Sequence, residues 1–250
     1  MKRTVLITGA TSGFGKACVE LFVANGWQAV ITGRRNERLD EMVDKIGSDK
    51  VVASCFDVRN WDEIDRAINE LPEDFANIEV LVNNAGLALG LEPAHEAHLE
   101  DWDTMVDTNI KGLMYMTRKL LPSMVERNCG HVVNIGSIAS DNPYPGGNTY
   151  GATKAFVAQF TNNLIADLQG TPVRVTNIEP GLAETEFSKV RFKWNEEKAD
   201  SVYTGAKPLT AEDIADTVYW AVDRPAHVNI NKIEIMPVCQ SFGPMVIIRD

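Results

Sequence analysis

Cysteine is scarce in this 250-residue sequence and forms no C-x-x-C pair. The four cysteines stand far apart, at Cys18, Cys55, Cys129 and Cys239. This distribution predicts neither a zinc site nor a disulfide framework. His95 and His98 are three residues apart, but no cluster of further ligands accompanies them, and zinc sites usually need three or four protein ligands. We therefore expect no metal site.

Long hydrophobic runs are missing as well. No run approaches the ~20 apolar residues of a membrane-spanning helix. The short apolar run over residues 5–10 is followed by glycines and does not resemble a signal peptide. The 24 basic and 35 acidic residues give a net charge of −11, which argues against a general binder of nucleic acid or of anionic membranes. We expect a cytoplasmic protein with reduced thiols, and a small basic pocket remains compatible with its charge.

The order of the expected elements predicts the fold class. Apolar runs typical of strands lie at residues 3–8, 27–32, 51–56, 78–82, 132–135, 172–178 and 229–236, and helical patterns lie at 16–25, 36–46, 61–71, 99–127, 149–168 and 210–223. This alternation predicts an α/β fold with a doubly wound parallel sheet. We see no repeat, linker or domain boundary, so residues 1–250 are expected to form a single domain. Residues 187–207 follow no clear pattern.

A glycine-rich turn links the first expected strand to the first expected helix, in the sequence Thr8-Gly-Ala-Thr-Ser-Gly-Phe-Gly15. Such a turn brings backbone N–H groups close to a diphosphate at the positive end of a helix. The glycine spacing differs from the common G-x-G-x-x-G fingerprint, and a simple tight turn is the alternative. Its setting at the carboxyl end of a strand favours nucleotide binding.

The end of the second strand is where a dinucleotide-binding fold selects its cofactor. Arg34 and Arg35 stand there, and no acidic residue occurs before Glu37. Arginine accommodates the 2′-phosphate of NADP, whereas an acidic residue would bind the free ribose hydroxyl of NAD. The sequence therefore predicts NADP(H), with solvated surface cations as the alternative. After the third strand, Asp57 and Val58 are suitably placed to contact the adenine.

Ser137, Tyr150 and Lys154 form the most informative pattern in the chain. Ser137 closes an apolar strand, and Tyr150 and Lys154 lie one turn apart on the same face of a helix. A nearby ammonium group favours the phenolate of a tyrosine, so Tyr150 is expected to transfer a proton while a cofactor transfers a hydride.

The Tyr-x-x-x-Lys spacing alone does not identify a catalytic pair, because the sequence contains two more such pairs: Tyr115 with Lys119, and Tyr203 with Lys207. Neither has a serine 13 residues upstream, where Ser137 stands relative to Tyr150. We therefore interpret them as a helix-face pair and a surface pair.

Other polar and small residues follow the strands. Asn84, Ala85 and Gly86 come after the fourth strand, where they can pack beside a cofactor or cap the next element. Asn109 and Gly112 are poor helix formers inside the expected helix 99–127. They indicate a kink or a functional constraint, with a buried structural amide as the alternative. The loop Glu179–Thr185 is placed to lie over the nicotinamide end of a cofactor.

Taken together, these motifs resemble the classical short-chain dehydrogenase/reductase family over essentially the whole chain. The resemblance implies a Rossmann-type sheet of about seven strands with helices on both faces, and usually a homotetramer. It implies a catalytic tetrad of Asn109, Ser137, Tyr150 and Lys154. In this tetrad Tyr150 is the acid/base, Lys154 lowers the pKa of Tyr150 and holds the cofactor ribose, Ser137 orients the carbonyl, and Asn109 supports a water next to Lys154. The expected cofactor contacts are Gly9, Thr11, Ser12, Gly13, Phe14, Gly15, Arg34, Arg35, Asp57, Val58, Asn84, Ala85, Gly86, Tyr150, Lys154, Pro180, Gly181 and Thr185.

A closer resemblance links the chain to the bacterial NADP-dependent 3-hydroxy acid (serine, allo-threonine) dehydrogenases, which also reduce malonic semialdehyde, and to the sulfoacetaldehyde reductases. It rests on residues 83–93, 144–156, 186–193 and 226–237, and it implies a short anionic substrate. Recognition of so small a substrate must come from its anion. The guanidinium of Arg191 can supply a planar fork of donors, with Tyr144 and Asn148 as helpers. The alternative is a surface ion pair between Arg191 and Glu186 or Glu196.

The leading hypothesis is thus an NADPH-dependent reductase of a short anionic aldehyde, acting reversibly on the matching 3-hydroxy acid or hydroxysulfonate. One alternative is a reductase of neutral ketones or sugars, and another is a non-catalytic NADP-binding regulator. The sequence leaves open whether the anion is a carboxylate or a sulfonate, and which direction is physiological. The apolar tail, residues 237–250, is expected to pack against a neighbouring subunit.

Overall fold

The fold is built on one seven-stranded parallel sheet. The structure is a computed structural model that describes residues 2–242, so the apolar run Met245–Ile248 lies outside the described residues. The strands lie in the order β3-β2-β1-β4-β5-β6-β7, and all neighbouring strands run parallel. Their bounds are Thr4–Ile7 (β1), Gln28–Gly33 (β2), Val51–Cys55 (β3), Ile78–Asn83 (β4), His131–Ile135 (β5), Arg174–Pro180 (β6) and Lys232–Ile235 (β7). The predicted Rossmann-type sheet is confirmed.

Helices cover both faces of the sheet. One face packs on α1 (Gly13–Ala24), α2 (Asn36–Ile46) and α10 (Ala211–Val222). The other packs on α3 (Trp61–Asn69), the short α4 (Glu73–Ala76), α6 (Leu113–Glu126) and α7 (Asn148–Asp167). Strands buried on both sides explain the continuous apolar runs in the sequence: every residue of β1 and of β5 is buried.

The helix expected over residues 99–127 is divided into three parts. An α-helix, α5 (Leu99–Val106), passes into a π-helical turn at Asp107–Gly112, and α6 follows. Asn109 and Gly112 both lie in this turn. A side chain at Gly112 would collide with Val58, so glycine lets the turn approach the end of β3. A π-helical turn thus stands where the two poor helix formers predicted a kink or a functional constraint, and turns of this kind are frequent at functional sites.

The segment 187–207, which the sequence left unassigned, contains two short helices. They are α8 (Glu186–Arg191) and α9 (Glu196–Ser201). The last strand is shorter than the expected 229–236. At its start the side chain of Asn229, rather than its backbone, pairs with both backbone groups of Val175 at 2.8 and 3.0 Å. Side-chain pairing of this kind cannot be distinguished from strand pairing by residue pattern alone. Among the helices of residues 2–242, none combines the length and the apolar character needed to cross a bilayer.

The aromatic contact between α1 and α10 is the basis of a stability prediction. Phe22 is fully buried and makes edge-on contacts with Trp27 and Tyr219, each at 5.2 Å between ring centroids. We expect Phe22→Ala to lower the free energy of unfolding by about 3–5 kcal/mol, because it leaves a large cavity. Chemical denaturation of the purified variant measures this.

Trp220→Ala is the matched control, because Trp220 is a large aromatic residue on α10 that is 46% exposed. Its loss is expected to stay below about 1 kcal/mol. Equal losses in the two variants would contradict the importance of the α1–α10 contact.

Candidate active site

A cavity opens at the carboxyl ends of the central strands. The strand order reverses between β1 and β4, and ligands bind at this kind of position in open parallel sheets. The cavity measures about 440 Å³. Its lining includes all eighteen residues that the sequence nominates for the cofactor except Gly15, and it adds Gly33, Phe56, Leu87, Thr108, Ile135, Gly136, Ser137, Ala183, Glu186, Phe187, Val190 and Trp194.

The glycine-rich turn forms the floor of this cavity. Gly9 has a φ of 65°, a conformation that glycine adopts without strain. Gly15 is buried against the turn, and a side chain there would collide with the carbonyl oxygen of Gly9. The amide of Asn84 donates to the carbonyls of Thr8 and Gly9 at 2.8 and 3.1 Å, so β4 holds the turn in place. Asn84 therefore holds the turn after β1 rather than capping the next element of the chain. It also lines the cavity, where its contact with a cofactor stays a prediction.

A cationic group lies at the end of β2. The guanidinium of Arg35 donates to the hydroxyl of Thr11, at 3.0 Å from Nε, and to the hydroxyl of Ser12 at 3.0 Å. It also pairs with the carboxylate of Glu186 at 3.0 Å. Arg38, in the first turn of α2, contacts both oxygens of the same carboxylate at 2.9 Å. Sequence reasoning missed Arg38 and considered Glu186 only as an ion-pair partner of Arg191, although Arg38 stands three residues after Arg35.

The charge state of Glu186 follows from these contacts. Partial burial alone would raise the pKa of Glu186, but hydrogen bonds from Arg35 and Arg38 outweigh it and hold the pKa below its usual value. Glu186 is thus an anion between two cations. The nearby Asp57 carboxylate is paired with Arg59 at 2.6 Å, at the side of the cavity that Val58 also lines.

The three residues of the most informative pattern converge at the other end of the cavity. Ser137 follows β5, and its hydroxyl is within hydrogen-bonding reach of the Tyr150 phenol. Lys154 is buried, and its ammonium donates to the carbonyl of Ile135 at 2.7 Å. The Lys154 nitrogen lies 5.8 Å from the centre of the Tyr150 ring. The other two Tyr-x-x-x-Lys pairs lie outside this cavity.

Burial dominates the titration of both groups. Desolvation raises the pKa of Tyr150 to about 12, although the hydrogen bond with Ser137 and the charge of Arg191 act in the opposite direction. Desolvation also lowers the pKa of Lys154 to about 8. Burial therefore raises the pKa of Tyr150 on balance, and the contribution of Lys154 toward lowering it stays a prediction. The Lys154 ammonium binds a backbone carbonyl, and burial outweighs the groups that favour the charged phenol.

Asn109 connects the π-helical turn to the helix of Tyr150. Its amide accepts from the Leu87 N–H at 2.9 Å and donates to the Leu87 carbonyl at 2.8 Å. It also donates to the hydroxyl of Thr153 at 3.0 Å, and Thr153 in turn donates to the Tyr150 carbonyl. Asn109 is thus a buried structural amide, the alternative left open above. Its role beside a water stays a prediction.

Two of the three expected substrate contacts lie beside Tyr150. The guanidinium of Arg191, at the end of α8, donates to the Tyr144 hydroxyl at 2.8 Å and to the Gly90 carbonyl at 3.2 Å. Its central carbon lies 5.7 Å from the centre of the Tyr150 ring. The predicted alternative, an ion pair with Glu186 or Glu196, does not form, because these carboxylates pair with Arg35, Arg38 and Lys189.

Asn148 is the third expected substrate contact, and the structure does not support it. Its amide donates to the Glu92 carbonyl at 3.1 Å and accepts from the Trp102 indole at 3.1 Å. The residue is exposed, and like Tyr144 and Arg191 it is not among the residues that line the cavity. Its hydrogen-bonding capacity serves the start of α7 instead. Spacing from Tyr150 could not reveal this, because Glu92 and Trp102 are remote in sequence.

The loop after β6 closes the cavity above Tyr150. Pro180, Gly181 and Thr185 line the cavity, and the Thr185 hydroxyl accepts from the Phe187 N–H at 3.1 Å and so caps α8. The Phe187 ring meets the Tyr150 ring edge-on at 5.6 Å. Trp194 follows in a left-handed conformation and is 57% exposed. Neither residue was given a role from the sequence, although Phe187 lies in the stretch 186–193 that carries the closer family resemblance.

The described residues bring three carboxylates together outside this cavity, from Asp141, Glu179 and Glu234. The ammonium of Lys232 lies among them, 2.6 Å from the buried Glu179 carboxylate and bonded to Asp141. The lysine thus forms ion pairs with two of the three carboxylates. The expectation that the protein has no metal site stays a prediction.

Comparison with known proteins identifies the family. The model of the short chain dehydrogenase family matches residues 3–196. The NADP-dependent 3-hydroxy acid dehydrogenase YdfG of Salmonella typhimurium is 57% identical over 247 residues, which are 98% of this chain and 99% of that protein. Serine 3-dehydrogenase of Agrobacterium fabrum is 50% identical over 250 residues, the whole length of both chains. A solved structure, the closed form of serine dehydrogenase complexed with NADP+, is 55% identical and superposes with a TM-score of 0.98, covering 99% of this chain and 100% of that one. The chain belongs to the short-chain dehydrogenase family.

The burial of Lys154 leads to a prediction about stability and pH. A pKa lowered from 10.5 to about 8 means that the charged form is disfavoured in the folded protein. At pH values well below 8, burial of the charged Lys154 therefore lowers the free energy of unfolding by about 3 kcal/mol. We expect Lys154→Met to raise the free energy of unfolding by about 1–3 kcal/mol at pH 6.5. The range extends down to about 1 kcal/mol because the variant also loses the hydrogen bond to the Ile135 carbonyl.

The sign of the pH effect follows from proton binding. Between pH 8 and 10.5 the unfolded chain keeps the Lys154 proton while the folded protein has released it, so the wild type gains stability as the pH rises. The advantage of Lys154→Met should therefore shrink by pH 9.5, as measured by denaturant unfolding at both pH values. Lys16→Met, at an exposed lysine on α1, should stay within about 0.5 kcal/mol of wild type. An advantage of Lys154→Met that does not change with pH would contradict the argument.

Proposed function

We propose that this member of the short-chain dehydrogenase family is an NADP(H)-dependent oxidoreductase of short 3-hydroxy acids and of the aldehydes formed from them. The named relatives support the class of reaction, since one is an NADP-dependent 3-hydroxy acid dehydrogenase and another is a serine 3-dehydrogenase. The observation that carries the proposal is the contact of Arg191 with Tyr144, beside the Tyr150 ring. This arrangement brings a guanidinium group that can bind an anion, from Arg191, close to a phenol that can donate a proton, from Tyr150.

The cavity fits a dinucleotide with a 2′-phosphate. The glycines keep the turn compact, because a side chain at Gly15 would collide with the turn and one at Gly13 would crowd Thr185. A turn without side chains lets its backbone approach a diphosphate closely. Arg35 and Arg38, with the hydroxyls of Thr11 and Ser12, supply charge and donors at the end of β2. When bound, the nicotinamide supplies a hydride to the substrate carbon or accepts one from it. Lys154 and Tyr150 line the same cavity, and we propose that they hold the ribose of the cofactor.

Tyr150 supplies the proton in the direction of reduction. With a pKa of about 12, its phenol is protonated at neutral pH and can donate to the carbonyl oxygen of the substrate. The Ser137 hydroxyl, in reach of the same phenol, donates a hydrogen bond to that oxygen and orients it. In the reverse direction Tyr150 must accept the proton of the substrate hydroxyl. A cation nearby then favours the phenolate, and the Lys154 ammonium is suited to this role at pH values below about 8.

The proposed substrate site lies at Tyr150, next to the contact between Arg191 and Tyr144. Leu87, Met105, Phe187 and Val190 pack with Tyr150 in one apolar cluster, and Arg191 and Tyr144 are polar side chains beside it. Glu186 and Glu196 form ion pairs with Arg35, Arg38 and Lys189, and we propose that Arg191 binds the anion of the ligand. A carboxylate two bonds from the reacting carbon suits this fork. A sulfonate of similar size can bind the same donors. Measured rates must therefore distinguish malonic semialdehyde, serine and sulfoacetaldehyde as substrates.

We also propose that the protein is a cytoplasmic homotetramer, from its family resemblance. The exposed Leu99, Met114 and Phe242 support an association between subunits, because large apolar residues are uncommon on free surfaces. Light scattering coupled to size exclusion measures the mass: about four times 27.6 kDa is expected, and a monomer would contradict the proposal.

Arg191→Met tests the anion site. We expect it to lower kcat/KM for malonic semialdehyde roughly 100-fold, about 2.7 kcal/mol, because the charged fork is lost. The rate with propanal, which lacks an anion, should change less than about threefold. Initial rates of NADPH oxidation measure both. Lys189→Met is the matched control, because Lys189 is a cation on the same helix that pairs with Glu196, whereas Arg191 contacts Tyr144.

Equal losses with the anionic and the neutral aldehyde would contradict a role of Arg191 in binding the anion. That result would favour the alternative of a neutral ketone or sugar as substrate. A protein that binds NADPH and turns over no aldehyde at all would instead favour a non-catalytic regulator.

A substrate panel separates carboxylate from sulfonate. NADPH oxidation is followed with malonic semialdehyde and sulfoacetaldehyde, and NADP reduction with serine and 3-hydroxypropionate. We expect the carboxylates to be used, in line with the names of the relatives. A preference above about 100-fold in kcat/KM for sulfoacetaldehyde, about 2.7 kcal/mol of transition-state binding, would make the sulfonate the substrate. No rate with any of the four compounds would contradict the proposed substrate class.

A further inference from the structure

Glu186 occupies the place where the proposed function requires an anion of the cofactor. Its two carboxylate oxygens accept from Arg35 at 3.0 Å and from Arg38 at 2.9 Å. Glu186 and Arg35 both line the cavity, and all three side chains are about one-third exposed. A carboxylate bridging two guanidinium groups uses the same donors that a phosphate monoester would use.

The position of Arg35 does not depend on Glu186. Its Nε and Nη2 atoms donate to the hydroxyls of Thr11 and Ser12. A different nitrogen, Nη1, donates to the carboxylate of Glu186. Arg38 differs, because its hydrogen bonds to described residues all go to Glu186. Removal of the carboxylate would therefore leave one guanidinium fixed by hydroxyl groups and a second without a bound acceptor.

The charge balance indicates competition rather than cooperation. Two guanidinium groups and one carboxylate give a local charge of about +1, and a phosphate monoester brings close to two negative charges at neutral pH. With Glu186 retained, the carboxylate and the phosphate would repel each other at close range. With Glu186 displaced, both arginines can bind the phosphate.

We propose that Glu186 is a specificity-determining residue that competes with the 2′-phosphate of the cofactor for Arg35 and Arg38, and that Arg38 is a ligand of this phosphate. This inference rests on the proposed use of NADP(H). Glu186 thereby limits how strongly the protein prefers a nucleotide with a 2′-phosphate to one without it. The residue begins α8, whose last residue is Arg191, so displacement of Glu186 acts on the helix that carries the proposed substrate contact.

The test measures nucleotide fragments by calorimetry, because they contain the adenosine end without the nicotinamide. 2′,5′-ADP carries the 2′-phosphate, and 5′-AMP does not. We expect wild type to bind 2′,5′-ADP more tightly, and Glu186→Gln to tighten 2′,5′-ADP about three- to tenfold while leaving 5′-AMP within twofold. Glu196→Gln is the control, because Glu196 is an exposed carboxylate that pairs with Lys189 at 3.8 Å and does not line the cavity.

Further variants keep the outcome decisive. Arg38→Met should weaken 2′,5′-ADP, and the gain from Glu186→Gln should shrink when Arg38→Met is also present, since the two residues compete through this arginine. Unchanged or weaker binding of 2′,5′-ADP to a folded Glu186→Gln protein would overturn the competition. Wild type that binds 2′,5′-ADP and 5′-AMP equally would instead overturn the proposed cofactor, and the inference with it.

Discussion

Removal of water from Tyr150 and Lys154 is the constraint on which the rest of the site depends. It keeps a proton on the phenol at neutral pH and weakens the hold of the lysine on its own proton. Burial of a cation costs free energy unless polar groups compensate. The Ile135 carbonyl at the end of β5 supplies that compensation. The parallel sheet, which ends several strands in one place, thus provides both the enclosure and the acceptor.

The short helix α8 connects the two ends of the cavity. Its first residue contacts the arginines that follow β2, and its last contacts Tyr144 beside Tyr150. Phe187, between them, packs on the Tyr150 ring. One six-residue helix therefore joins the group that would recognise a cofactor phosphate to the group that would recognise a substrate anion. Hydrogen bonds donated by arginine side chains hold both ends of the helix. Bonds of this kind at partly exposed positions are individually weak.

The accuracy of the sequence predictions varied with the range of the interactions that decide each feature. The glycine turn, the Tyr150–Lys154 pair and the capped start of α10 at Thr210 depend on nearby residues, and the structure contains all three. Asn148 was nominated as a helper of Arg191, but partners more than 40 residues away engage its amide. The sequence also could not show that burial raises the pKa of Tyr150, because residues remote in the chain cause that burial.

The amino-acid sequence by itself determined the order of strands and helices, the family, and the positions of Ser137, Tyr150 and Lys154, because periodicity and motif spacing are local properties of the chain. Only the tertiary structure decided which charged groups meet. Arg35 and Glu186 are 151 residues apart along the chain, and Tyr144 and Arg191 are 47 apart. Side chains so distant in sequence come within 3 Å of each other only because the parallel sheet brings the ends of its strands to one edge. The same packing sets the degree of burial, and through it the pKa values on which the proposed chemistry depends.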